Sequence, residues 1–179
     1  MKRLLLLSGP MASGKSSVSA ALQELFAFSP IRSSSFLRAK LVAEGEMPDR
    51  HKLQELGDNL DRTTDFSWVV NSVAIPEINA RLDVDNWLLD AVRKSKQVKL
   101  FKLRFAEAVI HVHLEAPESV LEQRYAERGL NQLAEYHANV RHPNELNARS
   151  LGSIADKVFD TGTFTALEIA SQIMELWEI

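Results

Sequence analysis

The stretch Leu4-Leu5-Leu6-Leu7-Ser8-Gly9-Pro10-Met11-Ala12-Ser13-Gly14-Lys15-Ser16-Ser17-Val18 decides the fold. An unbroken apolar run this short, with no polar alternation, is the pattern of a parallel strand buried on both faces. Residues 9–16 after it read G-x-x-x-x-G-K-S. Gly9 and Gly14 let the backbone turn so that successive N–H groups point at a phosphate, and a helix opening near Lys15 adds its dipole to the same anion. Lys15 is expected to reach the β- and γ-phosphates and the Ser16 hydroxyl to face Mg²⁺. Gly9, Ala12, Ser13, Gly14, Lys15, Ser16 and Ser17 are the expected phosphate-binding residues, with ATP and Mg²⁺ as cofactors. A chance Gly/Ser turn has neither a buried strand before it nor a helix after it; this one has both.

Outward from the loop, Val18, Ala21, Leu22 and Leu25 recur at helical spacing over 15–26. Ser29-Pro30 breaks that pattern, and a short strand or turn is expected at 31–34, then a helix over 35–43. Residues 49–82 are dominated by helical patterns, with Leu53, Leu56 and Leu60 on one face. Trp87-Leu88-Leu89 is a short apolar run ending in Asp90, and 97–106 reads as a helix. A strand over 109–114 is closed by Ala116-Pro117, and Pro117 suits the first turn of a helix over 118–127. Residues 129–149 are polar with weak periodicity. A last strand over 157–159 and a helix over 165–177 close the chain. Five strands alternating with helices predict an α/β fold with a parallel sheet.

The chain has 179 residues, the size of one domain, so 1–179 is expected to fold as a single unit. A net charge of −3 gives no global field for nucleic acid, and the absence of cysteine excludes disulfides and thiolate metal sites. Met1-Lys2-Arg3 and four leucines superficially resemble a signal peptide, but the apolar run is short and leads straight into the loop. No stretch approaches the ~20 apolar residues of a spanning helix. The expectation is a cytoplasmic protein without membrane or nucleic-acid partners, monomeric or homodimeric. The cations at Lys94, Lys96, Lys99, Lys102 and Arg104 read as a solvated helix face. His111 and His113, on one face of a strand, read as core or edge histidines more readily than as a metal pair. Trp68, Trp87 and Trp177 read as packing residues.

The loop alone does not choose a reaction. A GTPase switch would carry N-K-x-D and D-x-x-G, and neither occurs. An AAA-type motor would need a longer chain with a helical lid domain. A small kinase fits the length.

Three further segments narrow the reading: Ser35-Phe36-Leu37-Arg38-Ala39, Leu88-Leu89-Asp90-Ala91-Val92-Arg93, and Glu122-Gln123-Arg124-Tyr125-Ala126-Glu127-Arg128-Gly129. With the loop, they resemble the nucleoside monophosphate kinase group of P-loop kinases, which includes adenylate kinase, phage-type deoxynucleoside monophosphate kinase and dephospho-CoA kinase. The resemblance implies a three-layer α/β/α P-loop NTPase fold with a five-stranded parallel sheet. It also implies a helical acceptor-binding insert over 35–82 and a lid over 124–149. By the same resemblance Arg38 and Arg93 clamp an acceptor phosphate, and Asp90 holds Mg²⁺ through water or takes the acceptor's proton. Arg124 and Arg128 meet the donor nucleotide and the transferring phosphate, and Arg141 is a further lid arginine. Arg50 and Gln54, four apart on one helix face, are similar to acceptor-lining pairs in deoxynucleotide and phosphomevalonate kinases; Arg62 is a weaker candidate. The sequence departs from the group at Ser34-Ser35, where Gly-Asp is usual, and at Ala91, where Gly is frequent. The expected activity is ATP-dependent phosphorylation of a phosphate-bearing small molecule, foremost a nucleoside or deoxynucleoside monophosphate. The alternatives are a non-nucleotide acceptor, dephospho-CoA-like or a phosphorylated isoprenoid, and a regulatory P-loop ATPase.

Overall fold

The computed structural model describes residues 1–127, 129 and 132–178. Its five strands are β1 (Arg3–Ser8), β2 (Ser29–Pro30), β3 (Asn86–Leu89), β4 (Val109–Glu115) and β5 (Lys157–Asp160). They form one parallel sheet in the order β2-β3-β1-β4-β5. The helices are α1 (Lys15–Phe26), α2 (Ser33–Ala43), α3 (Arg50–Thr63), α4 (Ile75–Ala80), α5 (Ser95–Phe105), α6 (Glu118–Ala126), α7 (Gln132–Val140), α8 (Pro143–Ser150) and α9 (Ala166–Glu175).

The leucine run does what its composition demands. Leu4, Leu5, Leu6 and Leu7 are all at 0% exposure, and the pleat sends them alternately to opposite faces. Leu4 and Leu6 join Trp87, Leu89, Val98 and Phe101 under the insert helices and α5, while Leu5 and Leu7 join Val18, Leu22, Ile169 and Ile173 under α1 and α9. The result is three layers, α/β/α. Truncating any one of these leucines to alanine removes about 2–5 kcal/mol in a site of this kind.

The second strand lies earlier than expected. Ser29-Pro30 is itself β2, and Ile31 N–H continues the pairing to the Leu88 carbonyl at 2.7 Å. Pro30 reads as a breaker, yet β2 is an edge strand, so a residue without an N–H is tolerated on its unpaired side. The 35–82 segment is helical as expected, with a π-helical turn at Val69–Ala74 running into α4. Pro76 in the first turn of α4 has no N–H for the Ser72 carbonyl, which suits a widened turn there. Trp68 is core: its ring stacks on Phe36 and its indole N–H donates to buried Asp61 at 2.8 Å. The weakly periodic 129–149 segment contains two helices, α7 and α8. Among the described residues no helix is long and apolar enough to cross a membrane.

His111 and His113 are buried on β4, and Ser8 Oγ bridges them at 2.7 Å from His111 Nε2 and 2.9 Å from His113 Nδ1. Burial pushes both imidazoles down, from 6.5 to about 4. The unfolded chain takes these protons near pH 6.5, so between about 6.5 and 4 it binds more protons than the folded one. The stability they contribute is complete above that window and lost as pH falls through it. Denaturant unfolding at pH 5 is therefore expected to give a free energy on the order of 2 kcal/mol or more below the pH 7 value. The double variant His111→Gln/His113→Gln is expected to flatten the profile; an equally steep profile would place the titration elsewhere.

Candidate active site

The chain leaves β1 at Ser8 and turns immediately. Gly9 has φ 146°, and a Cβ there would sit 2.4 Å from the Leu114 carbonyl oxygen and 2.7 Å from Ser13 Oγ. Ala12 at φ 61° and Gly14 at φ 83° complete the reversal, and Gly14 is the N-cap of α1. No side chain caps α1, so its first amides face the loop. Lys15 is half-buried and its Nζ donates to the Gly9 and Pro10 carbonyls, both at 2.7 Å, which folds the cation back over the loop. Ser13 Oγ is buried without a hydrogen-bond partner. A cradle closed to any side chain at Gly9, a cation over it and an orphaned hydroxyl inside it fit a bound phosphate group.

The loop forms one wall of a cleft of about 1040 Å³. The other walls are the start of α3 (Arg50, Gln54), the loop after β3 (Asp90, Arg93), the end of α6 (Arg124, Tyr125), α7 and α8 (Asn139, His142, Asn144, Glu145) and the loop after β5 (Thr161, Phe164). Of the residues singled out from sequence, the cleft brings together Gly9, Ala12, Ser13, Gly14, Lys15, Ser16, Ser17, Arg50, Gln54, Asp90, Arg93 and Arg124. Two others stand apart. Arg38 is exposed on α2 and Arg141 is exposed between α7 and α8, and neither lines the cleft. Helix periodicity places Leu37 inward and so turns Arg38 away. Arg128 lies outside the described residues. Arg62 lines a smaller hollow between α2 and α3 instead.

Each cleft residue has a definable attachment. Asp90 sits at the C-terminal end of β3 and accepts from Ser19 Oγ of α1 at 3.3 Å. Arg93 N–H donates to Gln97 Oε1 at 3.4 Å, leaving its guanidinium exposed at the cleft. Arg124 spends part of its fork on Thr161, with 2.8 Å contacts to the hydroxyl and to the carbonyl, so it ties α6 to the loop after β5. Across the cleft, Gln54 meets His142 at 3.2 Å, Arg50 approaches Glu135 at 3.9 Å, and Lys94 Nζ donates to Asn144 at 2.7 Å. Lys94 thus belongs to this contact and not to a solvated face.

On the α7–α8 side, where the sequence suggests Arg141, four other residues make the contacts: Glu118, Tyr136, Glu145 and Arg149. Glu145 accepts the Met11 N–H at 2.8 Å and pairs with Arg149, which reaches Glu118 and the Tyr136 hydroxyl. Pairing with Arg149 holds the Glu118 carboxyl below the usual range, and burial, then Glu118, pushes the Tyr136 hydroxyl up to about 12. The available signal was His142-Pro143-Asn144-Glu145, where Pro at the first helical position marks a helix start. Among the described residues no group of three His, Cys, Asp or Glu side chains is placed to hold a metal ion. Any Mg²⁺ here would rest on Ser16, Asp90 and phosphate oxygens, as this ion usually does.

A family model described as an AAA domain matches residues 5–139. No curated protein matches by sequence. Among solved structures, the Bacillus subtilis YorR protein, in complex with phosphorylated GDP, is 20% identical with a TM-score of 0.56, over 98% of this chain and 95% of its own. Shikimate kinase from Acinetobacter baumannii, in complex with shikimate, is 19% identical with a TM-score of 0.55, over 97% and 92%. Shikimate kinase from Aquifex aeolicus vf5 is 16% identical with a TM-score of 0.56, over 98% and 96%. At such identities the likeness establishes the fold. Within it, α9 packs back on α1 after β5.

The contact at Gly9 gives a direct test of the loop. Gly9→Ala must either move the Leu114 carbonyl or expel the loop, a loss of about 3 kcal/mol or more. Thermal unfolding and nucleotide binding by calorimetry are expected to show lowered stability and lost affinity together; an alanine variant that binds nucleotide normally would remove Gly9 from the cradle.

Proposed function

This chain belongs to the AAA domain family AAA_18, and from that premise we propose that it is an ATP-dependent small-molecule kinase. It transfers the γ-phosphoryl group to a phosphate-bearing acceptor, foremost a nucleoside or deoxynucleoside monophosphate. The observation that carries this reading is a single cleft with the phosphate loop and Lys15 on one wall and the cations Arg50 and Arg93 on another.

The loop amides of residues 12–16 hold the β-phosphate, with the α1 N-terminus behind them. Lys15 leaves the Gly9 and Pro10 carbonyls for the β- and γ-oxygens. Ser16 and Asp90 are the residues that would hold Mg²⁺, which when bound with ATP offsets phosphate charge during transfer. Arg93 and Arg50 orient the acceptor through its phosphate, and a guanidinium fork suits that anion in two parallel hydrogen bonds. A nucleoside monophosphate attacks through an ionised phosphate oxygen and has no proton to lose; where the attacking atom is a hydroxyl, Asp90, at the end of β3, takes its proton instead of holding Mg²⁺. Arg124 holds the loop after β5 against the donor side. The α7–α8 lid keeps water from competing as acceptor. Phosphoryl transfer needs little more than this placement and neutralisation.

One observation favours the second reading, a phosphorylated non-nucleotide metabolite. On α3 and after β3 the cleft carries Gln54, Asp90, Ala91 and Val92 beside the two arginines, and its aromatic residues, Tyr125 and Phe164, come from α6 and the loop after β5.

A panel of acceptors with ATP and Mg²⁺, read as ADP formation, tests the proposal. Turnover with one monophosphate supports the nucleotide reading, and turnover only with phosphorylated metabolites supports the second. Slow ATP loss that no acceptor stimulates would overturn both in favour of a regulatory ATPase. Lys15→Ala is expected to abolish turnover. Arg93→Ala is expected to raise the acceptor KM by about tenfold or more while the ATP KM stays within about twofold, since one charged hydrogen bond is worth about 1.5–3 kcal/mol. Unchanged acceptor kinetics would take Arg93 out of the site.

A further inference from the structure

The lid touches the phosphate loop through one carboxylate. Glu145 of α8 is 10% exposed at its side chain, and a single oxygen, Oε1, accepts both the Met11 N–H at 2.8 Å and Arg149 Nε at 3.2 Å. Arg149 then spans three helices. Its Nη1 donates to Glu118 Oε2 at 2.7 Å, and its Nη2 to Glu118 Oε1 at 3.3 Å and to the Tyr136 hydroxyl at 3.2 Å. Tyr136 in turn donates to Glu118 Oε1 at 2.6 Å. The buried Tyr136 ring lies in a small apolar cluster with Leu121, Tyr125 and Ala12 of the loop itself. Two neighbouring loop residues are thus held from the lid side, Met11 by a hydrogen bond and Ala12 by packing.

A carboxylate at a phosphate loop is at first sight misplaced, because it repels the anion the loop serves. Two features resolve the conflict. Arg149 neutralises the charge at the same oxygen. Met11 N–H also lies one residue before the amides expected to cradle phosphate, so giving it to Glu145 takes nothing from them. Ala12 next to it is held at φ 61°, a conformation that costs a non-glycine residue about 1–2 kcal/mol and persists only when its surroundings impose it.

We propose that Glu145 is a positioning residue for nucleotide binding: through Met11 it fixes the entrance of the phosphate loop, and through Arg149 it makes that loop and the lid helices one hydrogen-bonded unit. This rests on the proposed function only in taking the loop as a nucleotide site; it needs no particular acceptor. Glutamine separates position from charge, since its carbonyl oxygen retains both hydrogen bonds while the charge is gone.

The experiment measures the Kd of ATP with Mg²⁺ by calorimetry, and backbone hydrogen exchange of a peptide carrying Met11, in the wild-type chain, Glu145→Gln and Glu145→Ala. Glu145→Ala is expected to weaken ATP binding about tenfold and to speed exchange at Met11. Glu145→Gln is expected to stay within about threefold of wild type and to keep Met11 protected. Wild-type affinity in the alanine variant would overturn the proposal. So would a glutamine variant as weak as alanine, or tighter binding in both, which would make Glu145 a repulsive charge. Should the alanine variant fail to fold, glutamine decides alone: a tenfold loss, or lost protection at Met11, overturns it, and retention of both supports it. Failure of the kinase reading shows separately, as absence of acceptor-stimulated turnover in the wild-type chain, and leaves these affinities and exchange rates readable.

Discussion

The close approach of the Gly9 backbone to β4 is the constraint on which the site depends. β1 and β4 run side by side until Ser8 faces His113. One residue later, any side chain at position 9 would collide with the Leu114 carbonyl at 2.4 Å. The chain has to leave the sheet there, and it has to do so in a backbone conformation that only glycine adopts without strain. Every other property of the loop follows from that exit. Lys15 reaches back to the Gly9 and Pro10 carbonyls, and α1 begins at Gly14 without a side-chain cap, beside the cleft.

The parallel sheet explains how distant residues share that cleft. All five strands point the same way, so each delivers its following loop to the same edge. β1 delivers the phosphate loop, β3 delivers Asp90 and Arg93, and β5 delivers Thr161. β4 leads into α6, whose last turn carries Arg124 to Thr161. Arg50 and Gln54 arrive by a different route, from the helical insert between β2 and β3. α7 and α8 supply the remaining wall. The buried half of the sheet therefore sets the geometry, and loops of very different length bring the chemistry to it.

This division also explains what could be read from the sequence. The leucine strand, the loop and α1 were legible because each carries a pattern with a single physical solution: apolar on both faces, glycine where φ is positive, apolar residues at helical spacing. Arg50 and Gln54 were legible because i and i+4 share a helix face. Arg38 was not, since the motif names a residue without fixing the rotation of its helix, and Leu37 takes the inward direction. β2 was displaced because Pro30 is read as a breaker before one knows that the strand lies at an edge. α7 and α8 were hidden for another reason. Among their described side chains Tyr136 and Ala148 are the buried ones, which gives a weak apolar period. Their docking combines the packing of Tyr136 against Ala12 and Leu121 with hydrogen bonds in which Met11 and Glu118 reach the Glu145–Arg149 pair of α8 only after folding.

The ionic part of that docking is uneven between its two sides. At the α3 side the contacts are exposed: Arg50 is 85% exposed at 3.9 Å from Glu135, and Gln54 meets His142 at the surface. Pairs of this kind contribute between nothing and about 1 kcal/mol. At the loop side Arg149 and Glu145 are 25% and 10% exposed, and the guanidinium serves Glu145, Glu118 and Tyr136 together. Shared, half-buried charges with several hydrogen bonds resist separation far more than a solvated pair, because parting them leaves charge in a poorly hydrated place. The shared guanidinium therefore ties α8 to α6 and α7. Glu145 and Arg149 stay together on α8 when it moves, so leaving the phosphate loop breaks the Met11 N–H bond and the packing of Tyr136 against Ala12, while leaving α3 breaks exposed contacts that cost little.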